Sequence, residues 1–164
     1  MTEHGHFPRP CEDDPSVEDG EWLWRMVHPT QVTKDDASPI GWRPTSGAFI
    51  DQQMSVDRAK LCNSVNDTLF LRPANHVAQV TAAELRKLDY CIYADPTRVC
   101  LNCKIDIGMG NCPCPECGEN DRIHVNLAHA IVCPKMTKKD ARNFCERPDI
   151  FIHFNMDSVP PTAA

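Results

Sequence analysis

The sequence predicts a single small domain of the α+β class, or of the α/β class, with a mixed sheet and two or three helices. The chain has 164 residues, which is a usual length for one domain, and its 41% hydrophobic and 24% charged residues are ordinary globular values. Short segments of alternating apolar residues are interleaved with short helical patterns. In addition, five of the ten cysteines fall within residues 99–120, which predicts an inserted cysteine-rich unit.

Two tails flank the predicted domain. Residues 1–20 contain six acidic residues against a single arginine and are rich in proline and glycine, which predicts a flexible acidic tail. Cys11, within this tail, is expected to be a free thiol. Residues 157–164 predict a loose C-terminus. The α+β domain is therefore expected to span residues 21–156.

Strand patterns dominate the first half of this domain. Residues 21–28 are aromatic and apolar and predict a strand. Residues 29–47 contain three prolines and two glycines, which is typical of turns. Residues 48–62 predict a short strand that runs into a short helix, and residues 67–73 predict a strand or loop fragment that ends at a proline.

The second half has clearer boundaries. Thr81 and Glu84 have the spacing of a capping box, which predicts a helix over residues 81–88 because each side chain satisfies a free amide at the helix start. Alternation and helical spacing predict the remaining elements, which are a strand at 89–96, one long strand at 122–134, a helix at 137–148 and a strand at 149–155.

The cysteine-rich unit contains two C-x-x-C pairs, Cys100 with Cys103 and Cys114 with Cys117, separated by ten residues. Two turns with this spacing bring four thiolates around one ion at about 2.3 Å, and their backbone amides point at the sulfurs. The pattern is that of a short zinc ribbon. It predicts one structural Zn²⁺ in an insertion at residues 97–122, between two strands. Either Cys114 or Cys112 could be the third ligand. We favour Cys114, because "CPEC" forms the tighter turn.

Four thiolates leave no open coordination position, so the predicted zinc is structural and not catalytic. The segment around it is nearly neutral and has no aromatic residue, whereas a nucleic-acid ribbon needs phosphate-pairing cations and often stacking rings. Its apolar residues would instead suit a protein partner once some of them have packed under the zinc. These candidates are Val99, Leu101, Ile105, Ile107 and Met109. The favoured interpretation is a zinc-binding protein-interaction module, a subunit or adaptor of a larger assembly. Nucleic-acid binding is an alternative.

A small enzyme is the other alternative, with Arg25, Ser46 and His129 as candidate catalytic residues. Small transferases that split NAD, of the ADP-ribosyltransferase type, often hold the dinucleotide with an arginine on the first strand and a serine on a later one. However, no glutamate identifies itself as the catalytic acid. An ion pair explains Arg25 more simply, because burying an unpaired arginine is costly, and a hydrogen-bonded core histidine explains His129. We therefore favour a protein that is not an enzyme.

The predicted compartment is the cytoplasm. The first twenty residues lack a positively charged region followed by an apolar run, and no segment approaches the roughly 18–20 apolar residues of a membrane helix. In a reducing compartment, ten cysteines favour metal binding and buried thiols over disulfides.

Four strings, "LWRMVHP", "RPTSGAF", "MSVD" and "HAIV", resemble the pattern LWRxxxP, PxSxAF, LSV and HAxV of a group of small bacterial proteins. The resemblance covers about residues 22–145 with the ribbon omitted. It implies a bacterial single-domain origin and no particular activity.

Overall fold

The computed structural model describes residues 10–107, 112–114, 116–117 and 123–158. Its strands are β1 (Trp22–Val27), β2 (Val32–Lys34), β3 (Trp42–Pro44), β4 (Met54–Arg58), β5 (His76–Thr81), β6 (Cys91–Ala94), β7 (Thr97–Cys100), β8 (Ile105–Asp106), β9 (Ile123–Asn126), β10 (His129–Cys133) and β11 (Phe151–His153). Its α-helices are α1 (Val65–Leu69), α2 (Ala82–Arg86) and α3 (Lys138–Cys145). Residues 1–9 of the predicted acidic tail and 159–164 of the predicted loose C-terminus lie outside the described residues.

Six strands form the main sheet, in the order β11-β5-β1-β4-β10-β6. All of its pairings are antiparallel, which confirms the α+β class. The prediction of a mixed sheet is wrong. β2 and β3 form a separate hairpin. β8, β7 and β9 form a three-stranded sheet inserted between β6 and β10, which we call the ribbon.

The hydrophobic core covers one face of the main sheet. Strand alternation sends Leu23 and Val27 of β1 to this face, together with Val56 of β4 and Val132 of β10. Helices α2 and α3 cover them with buried apolar side chains, which are Ala82, Leu85, Ala141, Phe144 and Cys145. The opposite face of β1, β4 and β10 carries the alternate residues and faces the ribbon.

Local hydrogen bonds explain where the helices begin. The predicted capping box at α2 is confirmed, because the Thr81 hydroxyl accepts from the Glu84 amide at 3.1 Å and the Glu84 carboxylate accepts from the Thr81 amide at 2.7 Å. Thr137 caps α3 in the same way, by accepting from the Asp140 amide at 3.1 Å. Ser64 caps α1, where a strand or loop was predicted. Strand β5 was not predicted.

The prediction of a flexible tail is wrong for residues 10–20, which pack against the domain. Val17 is buried in the core. The Asp14 amide donates to the Ile92 carbonyl at 2.9 Å, and the Ile92 amide donates to an Asp13 carboxylate oxygen at 2.9 Å. The acidic residues in this segment therefore bind the backbone of the edge strand β6, and Arg86 neutralises part of their charge through ion pairs with Asp13 and Asp19.

This packing also brings Cys11 to the end of β10, where it forms a disulfide with Cys133, 122 residues further along the chain. The predictions of a free Cys11 thiol and of a chain without disulfides are therefore wrong. Cys91 is the cross-strand neighbour of Cys133 and keeps a free thiol. A pairing that joins the two ends of the domain depends on the tertiary fold and left no local pattern in the sequence.

The single strand predicted at 122–134 is also wrong, because the chain turns at Leu127 and Ala128. β9 pairs with β7 in the ribbon, whereas β10 pairs with β4 and β6 in the main sheet. The described ribbon strands therefore extend to Asn126, beyond the predicted end of the insertion at residue 122.

Candidate metal centre

The ribbon positions the cysteines through its strands and the turns that follow them. β7 pairs with β8 and β9, so that Cys100, at the end of β7, lies opposite Ile105 and Ile123. The chain then turns through Cys103, and the Lys104 amide donates to the Cys100 carbonyl at 2.8 Å. This tight turn holds the first C-x-x-C pair on one side of the site.

Four cysteine sulfurs converge at the end of the ribbon. The Sγ atoms of Cys100, Cys103, Cys112 and Cys117 all lie within 4.8 Å of one another. Cys103 and Cys117 are 3.3 Å apart, Cys103 and Cys112 are 3.5 Å apart, and Cys100 and Cys117 are 3.6 Å apart. Four thiolates around a tetrahedral zinc at about 2.3 Å lie about 3.8 Å from one another. The spacing of this cysteine cluster therefore fits one tetrahedral ion.

The fourth sulfur of this group belongs to Cys112, the alternative residue, and not to Cys114, which the sequence favoured. Cys114 nevertheless lies close by, because its thiol is hydrogen-bonded to Cys103 and Cys117. The reason is the "CPC" segment, which carries two thiols to the same side of the ribbon. Five sulfurs are thus available for the four positions around a tetrahedral ion.

Backbone amides stabilise negative charge on these sulfurs. The Cys103 amide donates to the Cys100 sulfur at 3.5 Å and lowers the pKa of that thiol to about 7. The Glu116 amide lowers the pKa of Cys114. Hydrogen bonds with the neighbouring thiols of Cys117 and Cys112 raise the pKa of Cys103, because they stabilise its protonated form. A bound divalent cation would favour the thiolate form of these ligands.

The structure places Arg25 against the 3-10 turn that contains Ser46, and it puts His129 on the other face of the main sheet. Arg25 is fully used in internal contacts, since its guanidinium pairs with Asp51 and donates to the carbonyls of Ala48 and Ser55, each at 3.0 Å. Ser46 lies in a 3-10 turn that packs against α3. The ion pair that we favoured for Arg25 is therefore present.

His129 lies elsewhere, on the sheet face that the ribbon covers. Its ring is mostly buried, and Nδ1 donates to the Asp95 carbonyl at 2.7 Å, as expected for a hydrogen-bonded histidine. Its cross-strand partner on β4 is Asp57, whose own partner on β1 is Trp24. This row of three side chains could not be predicted from the sequence, because cross-strand neighbours are set by the register of three distant strands.

The ribbon also contacts the main sheet at this row. Asn126, the last residue of β9, donates its side-chain amide to the Asp57 carboxylate at 3.0 Å. The His124 ring packs against Phe70 with ring centroids 4.8 Å apart. The ribbon therefore leans over the second face of the sheet and forms one wall of a cleft.

No protein-family model matches the chain, and neither a curated protein nor a solved structure does. The resemblance to a group of small bacterial proteins therefore stays a prediction. Along the described residues, no helix has both the length and the apolar character that a membrane span requires.

Proposed function

We propose that the protein is a zinc-binding interaction module, in which one structural zinc ion folds the ribbon and the ribbon's outer face binds a protein partner. The observation that carries this proposal is the cluster of four cysteine sulfurs within 4.8 Å of one another. Thiolates are soft ligands that favour zinc among the common divalent ions. Four of them close the coordination sphere, so the ion has a structural role.

The second half of the proposal is supported by the apolar residues of the ribbon. Strand alternation divides the ribbon into two faces, and Val99, which is buried, points to the cleft. Ile105 pairs with Cys100 and Val125 pairs with Arg98, so both lie on the outer face. Four apolar side chains in and beside this face are between 39% and 63% exposed, and these are Leu101, Ile105, Val125 and Leu127. Such a group favours a protein partner.

Of the other residues proposed for this face, Ile107 is half-buried and Met109 lies outside the described residues. The partner is proposed to be part of a larger bacterial assembly, to which this chain contributes as a subunit or adaptor. The compartment proposed for it is the cytoplasm.

Elemental analysis of the purified protein tests the metal. We expect one zinc per chain, and none in the Cys100→Ser, Cys117→Ser double variant. Cys112→Ser and Cys114→Ser form a matched pair that tests the ligand set. The grouping of the sulfurs predicts the larger loss of zinc affinity in Cys112→Ser. Equal zinc content in the double variant and the parent would contradict a cysteine site.

Affinity purification from the source organism tests the partner. A Val125→Ser, Leu127→Ser variant should lose a stoichiometric partner that the parent retains. Ile40→Ser is the control, because Ile40 is similarly exposed but lies outside the ribbon. A protein that stays solitary in every preparation, or a partner retained by the ribbon variant, would contradict the proposed interface.

Two alternatives remain predictions. An NAD-handling enzyme that uses Arg25 and Ser46 would show a thermal shift with NAD that is lost in Arg25→Ala. The engagement of the Arg25 guanidinium by Asp51 disfavours this role. A nucleic-acid-binding ribbon would show steeply salt-dependent retention on DNA or RNA.

A further inference from the structure

The cleft between the ribbon and the main sheet has a volume of about 230 Å³. Its floor is the cross-strand row of Trp24, Asp57 and His129. One wall is the segment that follows α1, and the other wall is the ribbon. The cleft is smaller than the roughly 300–1000 Å³ of sites for drug-sized ligands, so a ligand must be small or extend beyond the rim.

Two cations stand on opposite walls of this cleft. Arg72 belongs to the segment after α1, and Lys104 follows the metal-site residue Cys103. Both side chains are exposed, and no described carboxylate lies within ion-pair distance of either. Lys104 has a left-handed backbone conformation, with φ of 55°, in the turn that the metal centre holds. Among the described residues, the site therefore offers two cations without a carboxylate partner to an anionic group.

The acidic residues of the cleft are placed differently. Asp57 is almost fully buried at the floor and accepts the side-chain amide of Asn126 at 3.0 Å. Asp67 accepts the backbone amide of Asn63 at 2.7 Å. Positive charge therefore lies on both walls, and the most buried negative charge, that of Asp57, lies at the floor. This separation suits a ligand with an anionic end and with hydrogen-bond donors at its other end.

His129 adds an acceptor beside Asp57. Because Nδ1 faces the Asp95 carbonyl oxygen at 2.7 Å, Nδ1 carries the hydrogen of the neutral ring. Nε2 is then the nitrogen available to accept a hydrogen bond from a ligand. The floor thus presents acceptors on two adjacent strands.

Aromatic rings line the same space. Trp24 is half-buried, and its indole nitrogen donates to the Gln79 side chain at 3.3 Å, which orients the ring. Phe70 is held by its contact with His124. Oriented rings of this kind favour a planar ligand group, which can pack face to face or edge to face.

We propose that this cleft binds a nucleoside monophosphate, with the phosphate between Arg72 and Lys104, the base against Trp24, and donor groups of the ligand directed to Asp57 and His129. Charge-assisted hydrogen bonds from two walls would hold the phosphate. The proposal uses the zinc site, which holds Lys104 in place, and is independent of whether the outer face of the ribbon binds a protein.

Isothermal titration calorimetry of the full zinc-loaded chain tests this site, with AMP, CMP, GMP and UMP as separate ligands. We expect at least one of them to bind. Its nucleoside and inorganic phosphate should each bind at least roughly tenfold more weakly, because each lacks one set of contacts. The Arg72→Gln, Lys104→Gln double variant should lose at least roughly tenfold in affinity for that nucleotide. Lys135→Gln, an exposed lysine outside the cleft, should bind as the parent does.

No heat with any of the four nucleotides at about 1 mM would overturn the proposal. So would unchanged affinity in the double variant, or phosphate alone binding as tightly as the nucleotide. Zinc content is measured on every sample. A protein that holds zinc but binds no nucleotide contradicts only the cleft proposal, whereas a protein without zinc contradicts the metal centre.

Discussion

The main sheet and the ribbon are stabilised in different ways. One face of the main sheet carries a cluster of buried apolar side chains that are contributed by five of its strands and by α2 and α3. In the described part of the ribbon, the buried apolar residues are Val99 and Cys100. Ordering each residue costs about 1–2 kcal/mol of backbone entropy, and burying a large apolar side chain returns about 1.5–3 kcal/mol. Burial can therefore order the main sheet but not the described part of the ribbon.

A metal ion bound by the cysteine cluster would supply what the ribbon lacks. Zinc binding to cysteine-rich peptides has an apparent free energy of about 10–16 kcal/mol at pH 7, which is enough to fold a small segment without a core. With the proposed metal bound, this chain would combine a domain held by apolar burial with an insertion held by thiolates. The two meet at the contact of Asn126 with Asp57 and at the cleft beside it.

Removing zinc should give the largest effect and should be confined to the ribbon. Chelation should abolish the hydrogen-exchange protection of β7 and β9, because Val99 and Cys100 are the buried apolar residues in the described part of the ribbon. Amides of β1 and β5 should keep their protection, since their core does not use the metal. The measurement is hydrogen exchange with mass spectrometry, with Cys62→Ser as the control variant. If the ribbon amides stay protected after chelation, the ribbon does not depend on a metal ion, and this difference from the main sheet is contradicted.

The buried ion pair of the main domain should give the next largest effect. Arg58 donates two hydrogen bonds to the buried Glu21 carboxylate, each at 2.8 Å. Burial raises the pKa of Glu21, but hydrogen bonds from Arg58 and Lys60 outweigh it and lower the pKa to about 2. Arg58→Met leaves this carboxylate with Lys60 alone and should lower the free energy of unfolding by about 3 kcal/mol in urea titrations.

The Glu21→Gln, Arg58→Met double variant is the matched control for that prediction, because it removes the buried charge together with its partner. It should be more stable than Arg58→Met alone. Zinc content should be the same in all three proteins. If Arg58→Met lost its zinc, the zinc site would depend on the stability of the main domain, which would contradict separate stabilisation of the two regions.

Acid should destabilise the main domain through His76, which is fully buried. Burial, with the nearby charges of His153 and His28, lowers the pKa of His76 from 6.5 to about 4. The unfolded chain therefore binds a proton between pH 6.5 and 4 that the folded chain does not. The free energy of unfolding should fall by about 3 kcal/mol as the pH decreases through this window.

NMR titration of the His76 ring is the direct measurement of this effect. Nδ1 accepts the Asn155 amide at 2.8 Å, so protonation also breaks the contact that holds the segment after β11. His28→Gln is the control, because His28 is exposed and its loss should leave most of the pH dependence in place. A His76 pKa near 6.5 would contradict the prediction.

The smallest effect is expected at the start of α2. Thr81→Ala removes the hydroxyl that accepts the Glu84 amide and should destabilise the domain by about 1 kcal/mol, measured by urea unfolding. Thr81→Ser retains the hydroxyl and should remain close to the parent. An equal loss of stability in both variants would indicate that the methyl group, and not the cap, is responsible.

The features that could be predicted from the sequence are those whose signals are local. Thr81 and Glu84 are three residues apart, and the cap they form is confirmed. The paired C-x-x-C spacing likewise indicated the cysteine cluster. Where two residues offered the same chemistry, as with Cys112 and Cys114, spacing alone could not choose between them.

Features that depend on distant segments could not be predicted. The alternation of residues 122–134 continues through the turn at Leu127, so the sequence does not mark the change from one sheet to another. The acidic residues of the segment 10–20 resemble a solvated tail until the edge of β6 is present to bind them. The disulfide between Cys11 and Cys133 and the row of Trp24, Asp57 and His129 exist only once the strands are in register.

The central claim is that four cysteine sulfurs hold one zinc ion and thereby fold the ribbon. Zinc K-edge X-ray absorption of the purified protein tests it most directly. We expect a first shell of four sulfur atoms at about 2.3 Å with no oxygen or nitrogen ligand. A protein without zinc, or a shell that includes water or imidazole, would contradict it.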